Sequence, residues 1–216
     1  MLETCCERPF SDTAIILLAA GRSSRFDAGD KLMAMYRGAP LIEQSARLLK
    51  DEAVAVRIAV VGQHHRARSE ILKATGWSLA ICQTEVPALA TSLSEGIRCA
   101  EEHQVGAALI ILADMPEVSQ RHLRALRQAI TAGRSAVFSR NGKTLTPPAA
   151  FARDVFDRLT KLRGDKGARG LFATLAGAGA IEIDPYEAMD IDTVADLERA
   201  QARHIDDLQD GFQCPR

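Results

Sequence analysis

Residues 14–32 read AIILLAAGRSSRFDAGDKL. Aliphatic side chains run without a break into two alanines and a glycine, and the polar stretch beyond carries Arg22, Arg25 and Lys31. A continuous apolar run closed by glycine reads as a strand covered on both faces, with no solvent side to call for alternation. The glycine frees the backbone and lets an anion approach the loop's N–H groups without a Cβ in the way. Three cations beyond a buried strand point to an anion site local to this loop.

The same pattern repeats outward. After TAIILLAA (13–20), the runs VRIAVVG (56–62), SLAICQ (78–83) and GAALIILA (106–113) read as three more buried strands. Between them PLIEQSARLLKDE (40–52), HRARSEILKAT (65–75) and LATSLSEGIRCAEEH (89–103) carry apolar residues at three- and four-residue spacing, the period of helices. Strands alternating with helices of this length predict right-handed βαβ units and a parallel sheet covered on both faces. HLRALRQAITAG (122–133) is a further helix, with Gly133 as its C-terminal stop. The second half is less regular. SAVFSR (135–140) reads as a strand, GKTLTPP (142–148) as a turn or short excursion, FARDVFDRLTKL (151–162) as a helix and RGDKGARG (163–170) as a loop. LFATLAG (171–177) reads as a helix, AIEID (180–184) as a strand and VADLERAQARHIDDL (194–208) as a closing helix, with Thr193 and Asp196 at its start. The expectation is one α/β domain over residues 13–207, a Rossmann-like three-layer α/β/α sandwich with a mostly parallel sheet. Residues 1–12 are read as disordered or loosely packed, and 208–216 as a frayed tail.

Composition narrows the function classes. The chain has 216 residues, 47% hydrophobic and 25% charged, enough for a full core. A formal charge of −1 gives no support for a nucleic-acid platform. Cys5, Cys6, Cys82, Cys99 and Cys214 form neither a CxxC pair nor a metal-ligand spacing. Reduced thiols follow, with no secretory leader and no apolar run long enough to span a bilayer, so the reading is a cytoplasmic protein without membrane contact.

In open α/β sheets ligands sit at the carboxyl ends of the strands, near the point where strand order reverses. The loop after the first strand is neither a Walker A loop nor a GxGxxG fingerprint. What remains is A-A-G-x-x-x-R with a lysine six residues on, a planar fork plus a mobile point charge, suited to a triphosphate clamped by a loop. A solvated basic turn is the bland alternative. ALIILADMP (108–116) sets Asp114 just past the fourth strand, a common way to aim a carboxylate at Mg2+ held by nucleotide phosphates. AMDIDT (188–193) adds Asp190 and Asp192, on one face if the segment is extended, although Asp192 serves equally well as a helix cap. In LRGDKGARG (162–170), Asp165, Lys166 and Arg169 sit among glycines near a helix start, suited to a second anion.

With these pieces assembled the chain resembles the MobA-like nucleotidyltransferases, and among them most the molybdenum cofactor cytidylyltransferases. LLAAGRSSRF with DKL, ATSLSEGI (90–97), LADMP (112–116) and LRGDKGARG with DIDTVADL (190–197) carry the likeness in the family's order. It implies a glycosyltransferase-A type fold of the nucleotide-diphospho-sugar transferase kind. Leu18, Ala19, Ala20, Gly21, Arg22 and Ser92 would hold the nucleotide, and Arg25 and Lys31 its triphosphate. Asp114 would hold Mg2+, or Mn2+ in its place, with Asp190 or Asp192 as the second carboxylate, while Asp165, Lys166 and Arg169 would meet the acceptor phosphate. LAAG leans to CTP over GTP. The implied acceptor is molybdopterin or the molybdenum cofactor, with a molybdenum hydroxylase apoenzyme as a further partner. Two departures stand out: Arg25-Phe26-Asp27 replaces the usual RMG, and TPPAAF (146–151) replaces a Gly-His-Pro version. The alternatives are a GTP-using enzyme, a sugar- or polyol-phosphate nucleotidyltransferase, and a non-catalytic nucleotide-binding accessory protein.

Overall fold

The computed structural model describes residues 10–210 except 28, 85, 86, 165 and 166, with no side chains beyond 203. Seven strands form one sheet in the order β5-β4-β1-β6-β8-β7-β9. The strands are β1 Thr13–Leu18, β4 Val56–Gly62, β5 Ser78–Cys82, β6 Ala107–Leu112, β7 Ala136–Asn141, β8 Thr144–Ala152 and β9 Ala178–Glu182. A two-stranded hairpin, β2 Met35–Tyr36 and β3 Ala39–Pro40, stands apart. The helices are α1 Leu41–Ala46, α2 Arg66–Ala74, α3 Leu89–Glu102, α4 Gln120–Thr131, α5 Phe156–Thr160 and α6 Val194–Asp210.

The unbroken apolar runs are explained by burial on both sides. Along β1, Ile15 and Leu17 join one core with Leu41, Leu72, Leu123 and Ala200, whereas Ala14, Ile16 and Leu18 join a second with Leu93, Ile97 and Phe156. Side chains alternate across a strand, so one strand feeds both layers. The α/β/α sandwich and its mostly parallel sheet are as read from the sequence.

The register places the site. β1 pairs in parallel with β4 on one side and β6 on the other, with Leu18 opposite both Val60 and Leu112. From β1 the chain builds outward through β4 and β5, then crosses to β6 on β1's other flank. The reversal therefore lies between β1 and β6, and the residues just beyond Leu18 and Leu112 face one crevice.

Three elements differ from expectation. GKTLTPP is a turn only at Gly142 and Lys143: residues 144–152 form β8, which runs antiparallel to both β6 and β7. Its prolines hid it, yet Pro147 and Pro148 sit where the register shifts between Phe138 and Ser139, at a bulge where the ladder needs no N–H from them. Phe151 and Ala152 consequently belong to the strand, and the helix after it starts only at Phe156. LFATLAG is no separate helix: its first four residues end a 3₁₀ segment spanning Gly167–Thr174, and 175–177 turn into β9. The β2–β3 hairpin carried too few residues to show a period.

α3 lies unusually close to the sheet at Gly96, where an added Cβ would come within 2.5 Å of Ile16 Cγ2 and 3.1 Å of Val60 Cγ2. Gly96→Ala is expected to lower stability by about 1–3 kcal/mol through overpacking, despite alanine's better helix propensity. Urea titration reads this directly, and a more stable variant would mean that the helix can stand off.

Among the described residues no helix is long and apolar enough to cross a membrane.

Candidate active site

The loop between β1 and Lys31 is built from short local bonds. The Ala19 N–H donates to Val60 O at 2.8 Å and the Ala113 N–H to Leu18 O at 3.1 Å, so both strand ends are tied before the chain departs. Phe26, 5% exposed, is buried and anchors the middle of the loop. Gly29 takes a φ of +100°, a left-handed backbone that a side chain would strain. The Asp30 carboxylate then accepts from the Leu32 N–H at 3.0 Å and caps a 3₁₀ turn over Lys31–Met33. Lys31 thus leaves the loop on a fixed backbone, its own N–H donating to Ser23 Oγ at 3.1 Å.

The Lys31 ammonium lies between two carboxylates, 2.6 Å from Asp114 Oδ2 and 2.6 Å from Asp192 Oδ1. Arg25 reaches the other oxygen of Asp192 at 2.8 Å, with its own side chain 74% exposed. Asp114 Oδ1 is buried without a hydrogen-bond partner. The basic loop and the mid-chain aspartate therefore converge. A cavity of about 290 Å³ is lined by Leu18, Ala19, Ala20, Gly21, Arg22, Arg25, Lys31, Ser92, Asp114, Asp190 and Asp192. Asp192 is no helix cap: Thr193 and Asp196 fill that role, with the Asp196 N–H donating to Thr193 Oγ1 at 3.2 Å and the Thr193 N–H to Asp196 Oδ2 at 2.8 Å.

The electrostatics of this cluster are those of crowded acids sharing a cation. Burial pulls the Lys31 ammonium down, but the Asp114 and Asp192 charges and hydrogen bonds outweigh it and hold the pKa above its ordinary 10.5. Asp190 has no such partner, so burial and then the Asp192 and Asp114 charges push its carboxyl up from 3.8. A second cation here would relieve Asp190 most. Mg2+ fits these residues on two observations. The orphaned Asp114 Oδ1 wants a partner, and Asp114 and Asp192 already converge on one positive charge. Among the described residues no three His, Cys, Asp or Glu side chains group as a full ligand set. Mg2+ commonly uses one or two carboxylates and completes its shell with phosphate oxygens and water.

A second cavity of about 80 Å³ abuts the first and shares Leu18, Leu89 and Leu112 with it. Phe138, Phe151, Pro147 and Ala149 wall it, and Arg169 stands at its edge. Of the three residues read as acceptor ligands, Arg169 is therefore placed beside the first cavity, while Asp165 and Lys166 lie outside the described residues. The walls from β7 and β8 were missed because β8 itself was read as a turn. Arg68, which hydrogen-bonds to Ala19, Gly21, Ser23 and Asp30 in the loop after β1, was also missed. Its signal was present as a cation in line with Leu72 on the buried stripe of α2, since both are buried four residues apart.

The chain is 34% identical over 192 residues to the purine catabolism protein PucB of Bacillus subtilis (strain 168), covering 82% of this chain and 90% of that one. Its fold matches that of Rv0371c from Mycobacterium tuberculosis H37Rv with a TM-score of 0.77, at 23% identity over 88% of this chain and 98% of that one. The same protein in complex with manganese gives a TM-score of 0.71, at 22% identity over 88% and 98%. The MobA-like NTP transferase domain model matches residues 15–179, and with a strand-loop-lysine clamp facing a carboxylate cluster, the chain belongs to the MobA-like NTP transferase family.

Proposed function

We propose that the protein transfers CMP from CTP to the terminal phosphate of molybdopterin, or of the molybdenum cofactor, and releases pyrophosphate. The observation that carries this reading is the convergence of Arg25, Lys31, Asp114 and Asp192 on one cavity, beside an apolar cavity with a cation at its edge. An oxygen of the acceptor phosphate attacks the α-phosphorus of the nucleotide; the new P–O bond forms as the bond to the β-phosphate oxygen breaks, and pyrophosphate leaves. The attacking oxygen is already ionised near neutrality, so no side chain need take a proton. What the protein supplies is charge neutralisation and alignment of two anions. Lys31 and the exposed Arg25 guanidinium meet the departing pyrophosphate. Asp114, with Asp192 or Asp190, would hold Mg2+ or Mn2+, whose chemistry there is to offset the phosphates' charge.

The aromatic and aliphatic walls of the second cavity favour a flat ring system over a polyol as the body of the acceptor. A relative named for purine catabolism suits delivery of the product to a molybdenum hydroxylase apoenzyme in the cytoplasm. The test is pyrophosphate release with each NTP, with and without molybdopterin, with Mg2+ present or chelated. Release that needs CTP, molybdopterin and the metal together is the expected result. Release with GTP alone, or with a polyol phosphate in place of molybdopterin, reassigns the substrate. Nucleotide binding without any release makes the protein an accessory carrier.

A further inference from the structure

We propose that Arg68 is the positioning residue of the polyphosphate loop, turning its carbonyl oxygens away from the anion and fixing the backbone from which Lys31 projects. The inference rests on the reading that this loop holds nucleotide phosphates. Arg68 rises from the first turn of α2, under the loop rather than in the cavity, and its side chain is 1% exposed. A guanidinium has five N–H bonds, and this one spends all of them on residues 19–30. Nε donates to Asp30 Oδ2 at 2.8 Å and Nη2 to Asp30 Oδ1 at 2.7 Å. Nη1 donates to Ala19 O at 2.7 Å and to Gly21 O at 2.8 Å, while Nη2 also reaches Ser23 Oγ at 3.4 Å.

These partners lie at the two ends of one loop, so a single planar group closes it. The consequence is electrostatic. A carbonyl oxygen turned into a triphosphate site would repel the ligand, and two in this loop are instead bound to a cation beneath it. Asp30 and Ser23, gripped by the same guanidinium, are the residues that bond the Leu32 and Lys31 N–H groups. Arg68 therefore sets the direction from which the Lys31 ammonium enters the cavity without touching substrate itself. Burial alone would raise the Asp30 carboxyl, yet the hydrogen bonds and charge of Arg68 hold it below its ordinary 3.8. A lysine has no planar fork to span five acceptor atoms.

The experiment uses the full chain, inorganic tripolyphosphate with Mg2+ as the probe for calorimetry, and hydrogen exchange of the amides of residues 19–32. Arg68→Met is expected to weaken tripolyphosphate binding by about 10–100-fold, the scale for displacing a positioned group by about an ångström. Exchange in the loop should speed up while β4 and β6 keep their protection. Arg68→Lys should behave like Arg68→Met, and guanidinium chloride at millimolar level should restore binding to Arg68→Ala where sodium chloride does not. If Arg68→Met does not fold, Asp30→Asn, in a more exposed position, must give the same paired loss. Affinity within twofold of wild type with unchanged loop exchange in the folded variant overturns the proposal, as does full function of Arg68→Lys. Wild-type protein that binds tripolyphosphate but releases no pyrophosphate overturns the transferase reading and leaves the role of Arg68 intact.

Discussion

Asp114→Asn is expected to lower turnover by about 10²–10³-fold, the scale for removing one electrostatic stabiliser from a preorganised site. The substitution keeps the shape, leaves one carbonyl oxygen as acceptor, turns the other position into an amide donor and removes the charge. The backbone at this point will hold, because the Ala113 N–H is tied to Leu18 O and the Ile191 N–H donates to Asp114 O at 2.9 Å. Lys31 keeps Asp192 as a partner, so the ammonium is not stranded. What disappears is the buried Oδ1 anion, which has no hydrogen-bond partner and is retained against its desolvation cost. A group kept in that state is explained by what it binds during the reaction. The loss should fall on kcat more than on the nucleotide's KM, since the loop and Arg25 still hold the triphosphate. Stability should change little or rise, because one of three crowded carboxylates is discharged. Single-turnover pyrophosphate release reads the effect, and an unchanged rate would remove Asp114 from the mechanism.

The fold was legible where burial was two-sided. β1, β4 and β6 announce themselves as aliphatic runs because no face is left for polar residues, the edge strand β5 reads as one despite exposing Ser78 and Ile81, and the helices between them show their period. The cavity's contributors 18–22, 25, 31, 114, 190 and 192 could be named because a parallel sheet gathers its strand ends at one edge and because the family resemblance points to the same loop, while Ser92 came from the resemblance alone. Two kinds of information were not local enough to read. β8 carries prolines that argue against a strand until they are known to be the unpaired residues of a bulge facing Phe138 and Ser139 of β7, and only the pairing shows that. Arg68 looks like any surface cation in HRARSEILKAT, and its meaning comes from carbonyls nearly fifty residues away in the chain. Asp192 was ambiguous for the opposite reason. Two cap candidates stood side by side, and the choice between them was settled by the Lys31 ammonium across the cavity.

Lys31→Met is expected to produce the largest combined loss, about 10³-fold in turnover together with a clear fall in stability. The ammonium is the shared partner of Asp114 and Asp192, and its side chain is only 10% exposed. Removing it leaves two carboxylates facing each other, with Arg25 still paired to Asp192. Breaking a buried ion pair from one side costs about 3–5 kcal/mol, and the partial exposure of both aspartates sets this case at the low end. The pH dependence carries the sign. Because the folded ammonium titrates above 10.5, its contribution is complete below that pH and is lost as pH rises through the raised value. The gap in Tm between wild type and variant should therefore be full at neutrality and close in strong alkali. Lys31→Arg should not restore turnover, since a broad planar fork cannot take the place of a point charge between two oxygens. Millimolar Mg2+ should raise the Tm of Lys31→Met more than that of wild type, because the unpaired carboxylates then accept a cation that the ammonium otherwise forestalls. An equal response of both proteins to Mg2+ would mean that these aspartates do not form the metal's seat, and the catalytic cluster would have to be redrawn around Asp190.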